Sequence, residues 1–130
     1  MTHRKRILLV DDDHDFVEAT TAVLESVCDV DVAFGGGEGL AKARASRPDL
    51  ILLDVIMPDE DGFAVCDQLK ADPQLADVPV IMLTSLPDGV GPRGLAARKP
   101  CVEDYLEKPV KPMELLRRVA KFLAEGAKEG

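Results

Sequence analysis

A chain of 130 residues with 46% hydrophobic composition is the size of one domain and can fill a core without disulfide or metal staples. Its formal net charge of −8 argues against direct nucleic-acid binding by this chain, because phosphate backbones are held by clustered Lys and Arg. Four Phe, one Tyr and no Trp leave no stacking platform for bases.

The amino-terminal Arg4-Lys5-Arg6 is followed by only four apolar residues, Ile7 to Val10, before three aspartates, so neither a signal peptide nor a membrane span is expected. Arg6 to Val10 predicts a first strand, and Phe16, Ala19, Thr20, Val23 and Val27 recur at helical spacing after it. Asp29 to Ala33 predicts a second strand, followed by a turn and helix start at Gly35-Gly36-Gly37; that helix carries Leu40, Ala41 and Ala43 and stops near Pro48. Gly35 to Gly39 does not complete a dinucleotide cradle, since Leu40 stands where the pattern needs glycine and the wrong strand precedes it. Leu50 to Leu53 is the clearest strand, and Gly62 to Lys70 a third helix burying Phe63, Val65, Cys66 and Leu69. Pro79 to Leu83 and Val102 to Leu106 predict the last two strands. Met113, Leu115, Leu116, Val119, Phe122 and Leu123 give a final helix a wide apolar stripe, with Pro112 suited to its first turn.

Two prolines and three glycines between Pro87 and Gly94 interrupt the place of a fourth helix, which is expected to be short or irregular. The polar stretch 126–130 reads as a flexible tail after a domain over 1–125, with no output domain following. Cys28, Cys66 and Cys101 are widely spaced and show no zinc-ligand pattern; reduced thiols in a cytoplasmic protein are the simpler reading. Strands alternating with helices predict one α/β domain, a doubly wound, mainly parallel sheet with helices on both faces.

Polar groups gather where these strands end. Ile7 to Val10 runs into Asp11-Asp12-Asp13, Leu50 to Leu53 into Asp54, and Val80 to Leu83 into Thr84-Ser85, and ligands of open α/β sheets bind outside the carboxyl ends of the strands. Each residue alone has a plainer explanation. Asp11 to Asp13 could cap a helix, Thr84 is an ordinary strand residue, Lys108 a solvated lysine, and Tyr105 a half-buried aromatic. Asp54 beside four apolar residues is costly to place without a partner, which favours function there. His3 and His14 are too isolated to form a metal pair.

Taken together, Leu8-Leu9-Val10-Asp11-Asp12, Leu52-Leu53-Asp54-Val55-Ile56-Met57-Pro58, Gly62, Leu83-Thr84-Ser85 and Tyr105-Leu106-Glu107-Lys108-Pro109 resemble the receiver domain of two-component response regulators, from about Arg6 to Leu123. The resemblance implies a CheY-like, flavodoxin-type sheet of five parallel strands in the order 2-1-3-4-5. It implies phosphoryl transfer to Asp54 from a histidine kinase or histidine phosphotransfer protein, and control of a downstream protein partner or output domain. Mg2+ would be held by Asp12 and Asp54, by Asp11 through a water, and by the backbone carbonyl of Ile56. Thr84 and Lys108 would stabilise the phosphoryl oxygens, Thr84 and Tyr105 would form a switch, and the Lys108-Pro109 bond would be cis. The chain would then be no metabolic enzyme, assisting only its own phosphorylation and dephosphorylation. A phosphorylation-independent interaction domain is the alternative. A small phosphatase is less consistent, since Ile56 occupies the position of its general acid.

Overall fold

The computed structural model describes residues 4–58, 61–84 and 102–129. Nine elements follow one another: β1 (Arg6–Val10), α1 (His14–Leu24), β2 (Asp29–Ala33), α2 (Gly36–Ser46), β3 (Leu50–Asp54), α3 (Gly62–Ala71), β4 (Val80–Thr84), β5 (Asp104–Glu107) and α4 (Pro112–Glu129). The five strands form one parallel sheet in the order β2-β1-β3-β4-β5, with Ile7 facing Leu50, Asp54 facing Leu83, and Thr84 facing Glu107. No helix among the described residues is long and apolar enough to cross a membrane.

The central strands are apolar at nearly every position because both faces of the sheet are covered. Side chains alternate between two cores. Leu8, Val10, Ile51, Leu53, Val80 and Met82 join Leu40, Phe63, Val65 and Leu69 of α2 and α3 on one face. Ile7, Leu9, Leu50, Leu52, Ile81 and Leu83 join Val17 and Leu24 of α1 and Leu115 and Val119 of α4 on the other. Cys28 and Cys66 are buried thiols outside any disulfide, and burial pushes the Cys28 thiol pKa up, which keeps that thiol protonated and unreactive.

Several boundaries differ from the sequence expectation. β3 and β4 each extend one residue further, taking in Asp54 and Thr84, because the ladder continues through them. β5 begins at Asp104 instead of Val102; Glu103 ahead of it accepts from Val80 N–H (2.6 Å) and from Lys70 Nζ (2.8 Å), a polar tie that replaces strand geometry. α1 ends at Leu24, so Val27 falls outside it and is exposed, and Met113 of the expected apolar stripe of α4 is also exposed. α4 continues to Glu129, through most of the stretch read as a tail. The expected irregular fourth helix, Pro87 to Pro100, lies outside the described residues.

Gly62, the first residue of α3, matters for placement of the loop after β3. A Cβ there would lie 2.2 Å from the Asp54 carbonyl oxygen and 2.9 Å from Val55 Cα, both backbone atoms that cannot rotate away. Gly62 N–H also donates to the Val55 carbonyl (2.8 Å), and Ile56 forms an antiparallel bridge with Asp61. Gly35, the extended N-cap of α2, has nothing within 4 Å of an added Cβ. Gly62→Ala is therefore expected to cost about 1–3 kcal/mol through forced backbone movement, whereas Gly35→Ser should leave stability unchanged within about 0.5 kcal/mol; urea denaturation of both variants checks the contrast.

Candidate functional site

The carboxyl ends of β1, β3 and β4 deliver their polar residues to one edge of the sheet. Asp11 follows β1 and is fully withdrawn from solvent; its N–H donates to the Ala33 carbonyl (3.0 Å), and its Oδ1 accepts from Asp13 N–H (3.0 Å). Asp13 is the N-cap of α1, accepting from Phe16 N–H at 3.1 Å. The aspartate triplet thus divides its labour: Asp13 caps, while Asp11 and Asp12 face the site.

Asp54 closes β3 and is only 4% exposed. Its Oδ1 accepts a long hydrogen bond from Ile56 N–H (3.3 Å). One carboxylate oxygen from each of Asp11, Asp12 and Asp54 lies within 4.8 Å of the others. Burial, then the neighbouring charge of Asp11, raises the Asp54 pKa from 3.8 to about 7; Lys108 and the Ile56 N–H oppose the shift and Asp12 adds to it. An oxygen-only set of three acidic groups fits a hard divalent cation such as Mg2+.

Lys108 arrives immediately after β5. Its Nζ donates to Asp11 Oδ2 at 2.6 Å and lies 3.8 Å from Asp54 Oδ1, with the side chain 16% exposed. Its N–H donates to the Thr84 carbonyl (2.7 Å), which carries the β4–β5 pairing to the edge of the site, and the Lys108-Pro109 bond is cis. Thr84 is buried at the end of β4. Tyr105 sits in β5 opposite Met82 and is also buried, in the core on the α2 and α3 face. It is more enclosed than the half-buried strand aromatic expected of it. Ile56 projects outward at the mouth, 56% exposed.

Asp11, Asp12, Asp54 and Lys108 are thereby brought together, with Thr84 and Ile56 beside them. Two neighbours were not legible as such. Phe16, one of the apolar residues at helical spacing in α1, carries the Lys108 ammonium over its ring at 4.3 Å from the centroid. His14, exposed on the first turn of α1, stacks on Phe34 with centroids 4.1 Å apart. No spacing rule links residues of different elements in this way. A cleft of about 280 Å3 lined by Asp12, Phe34, Met57 and Pro58 opens beside the carboxylates. A larger hollow of about 570 Å3 lies among Arg4, Arg6, Glu25 and Asp29, residues at the opposite end of β1, so volume alone does not locate the chemistry.

Such an arrangement presents an acidic oxygen nucleophile, a cation-binding cluster and a fixed ammonium at one point. The family model for the response regulator receiver domain matches residues 7–120. The chain is 40% identical over 129 residues to the DNA-binding response regulator MtrA of Mycolicibacterium smegmatis, covering 98% of this chain and 54% of that protein. It is 41% identical over 119 residues to the response regulator PleD of Caulobacter vibrioides, covering 88% of this chain and 25% of that protein. It thus spans about half the length, or less, of these curated relatives. Among solved structures, a CheY-like response regulator receiver domain protein from Methanospirillum hungatei superposes with a TM-score of 0.86 at 31% identity, covering 98% of this chain and 99% of that one. The signal receiver domain of a signal transduction histidine kinase from Syntrophus aciditrophicus gives 0.81 at 34% identity, covering 93% and 91%. The strand order, the acidic edge of the sheet and these matches agree: the chain belongs to the response regulator receiver domain family.

Proposed function

We propose that this receiver domain takes a phosphoryl group onto Asp54 from a histidine kinase or histidine phosphotransfer protein. The observation that carries the reading is the convergence of Asp11, Asp12 and Asp54 within 4.8 Å, with Lys108 reaching two of them. A carboxylate oxygen of Asp54 attacks the phosphorus of phosphohistidine; the P–O bond forms as the P–N bond breaks, and the departing imidazole nitrogen keeps the electron pair and takes up a proton. The product is an acyl phosphate on Asp54.

Asp12 and Asp54 would hold Mg2+, with Asp11 and the backbone carbonyl of Ile56 completing the oxygen set. When bound, the ion would supply positive charge against the repulsion between an anionic phosphoryl group and an anionic acceptor. Lys108 neutralises a second phosphoryl oxygen, and Thr84 donates its hydroxyl to a third. Thr84 and Tyr105 report the modification as a shift between two packings of β4 and β5. The domain assists only its own phosphorylation and dephosphorylation and acts on a downstream partner or output domain, with no nucleic acid or membrane bound by this chain itself. The receiver unit runs over 1–125, its last helix carrying on to Glu129, and the buried, unreactive Cys28 suits a cytoplasmic setting.

Acetyl phosphate with Mg2+ is expected to add one phosphoryl group, seen by intact mass spectrometry, and Asp54→Ala is expected to add none; an equal adduct on the variant would move the acceptor elsewhere. The proton on Asp54 gives a second test in metal-free buffer. An unfolded-chain aspartate loses its proton near 3.8, whereas native Asp54 keeps it to about pH 7. The stability linked to that proton is full below the lower value and is lost as pH rises through the upper one. Asp54→Asn, which never ionises, should therefore gain stability over the unaltered protein as pH climbs from 4 to 7 and hold a constant gain above, measured by urea denaturation; a gain independent of pH would contradict the shift. Ile56, two residues after Asp54, and Leu86, two residues after Thr84, occupy positions that flank the path of the hydrolytic water in receiver domains, and neither apolar side chain can orient that water by hydrogen bonding. Ile56→Asn with Leu86→Glu should shorten the acyl-phosphate lifetime by about tenfold, the equivalent of one or two new hydrogen bonds.

A further inference from the structure

The Lys108 ammonium is enclosed on three sides. Asp11 Oδ2 lies 2.6 Å away, Asp54 Oδ1 3.8 Å away, and the centroid of the Phe16 ring 4.3 Å away. An ammonium removed from water needs a partner along each donor direction, and an aromatic face supplies one through its negative quadrupole. Phe16 is well anchored for this. Its N–H is held by the Asp13 cap at 3.1 Å, and its side chain packs against the core that α1 shares with α4. An aliphatic residue would fill the same volume against that core without attracting a cation.

We propose that Phe16 is a positioning residue for Lys108: its ring closes the open side of the ammonium and keeps it at the Asp11 and Asp54 carboxylates instead of in solvent. The inference rests on the reading of Asp54 as phosphoacceptor for its consequence in rate, though not for the contact itself. Lys108 competes with a bound cation for Asp11, so loosening it separates two readouts. Phosphoryl transfer slows because the ammonium no longer waits at the acceptor, while Mg2+ affinity stays level or rises. A variant that merely disturbed packing would weaken both.

The test uses Phe16→Leu and Phe16→Tyr in the full chain, with and without Lys108→Ala. In metal-free protein, the Lys108 Hε protons should resonate upfield from the ring current of Phe16, keep that shift in Phe16→Tyr and lose it in Phe16→Leu. With acetyl phosphate and saturating Mg2+, Phe16→Leu should slow phosphorylation by roughly three- to tenfold, the range expected for a part-desolvated cation–π contact. Phe16→Tyr should restore the rate, and Phe16→Leu should cost nothing further in the Lys108→Ala background. Lys108 protons at ordinary shifts, or the same loss of rate with and without Lys108, would overturn the proposal. Ring-shifted Lys108 in a protein that accepts no phosphoryl group would overturn the acceptor reading alone, whereas equal rates for Phe16→Leu and the unaltered protein would overturn the positioning role alone.

Discussion

An acidic side chain fully withdrawn from water has to find a cation, and Asp11 finds Lys108. Removing one partner of such a buried pair typically costs about 3–5 kcal/mol, because the other is left without compensation. The two residues are 97 positions apart in sequence, so the pair forms only after the sheet is complete from β1 across β3 and β4 to β5. That requirement propagates backwards through the structure. β5 must lie in register on β4, which the Lys108 N–H secures at one end through the Thr84 carbonyl and the Glu103 carboxylate at the other through Val80 and Lys70. Arg118 of α4 then ties the outer side by donating to Asp104 at 2.6 Å.

The same pair leaves a deficit. One ammonium stands among three aspartates, and it lies nearer Asp11 than Asp54. Asp54 answers by holding a proton to about pH 7. Like charges gathered in a buried place are a structural cost that packing alone would remove, and the two cores around the site show no shortage of apolar side chains to do so. Their persistence at the sheet edge marks the place where stability gives way to chemistry.

Much of this was legible in the residues. The three central strands announce themselves as short apolar runs because each is buried on both faces, and the order of elements follows from alternation of strand and helical patterns. The polar residues that terminate the runs are the ones the sheet gathers at one edge. Less visible were the boundaries, since a ladder does not stop where apolar character stops: Asp54 and Thr84 are strand residues by hydrogen bonding although polar by composition. Contacts between distant elements were not legible at all. Nothing near Phe16 in the chain announces Lys108, and the demand on Gly62 comes from the carbonyl of Asp54, which closes the preceding strand.

Because β3 and β4 have no exposed position along their five residues and β1 exposes only Arg6, the frame leaves little room for polar substitution. Around the site, exposure begins at the rim: Ile56 and Pro58 after β3, Phe34 after β2, and Met113 at the start of α4 all face outward. A receiver built in this way sets its enclosed frame and its open rim within a few residues of one another. Side chains can change at those outward positions without disturbing either core, whereas the acidic edge is tied to an interior that tolerates few changes.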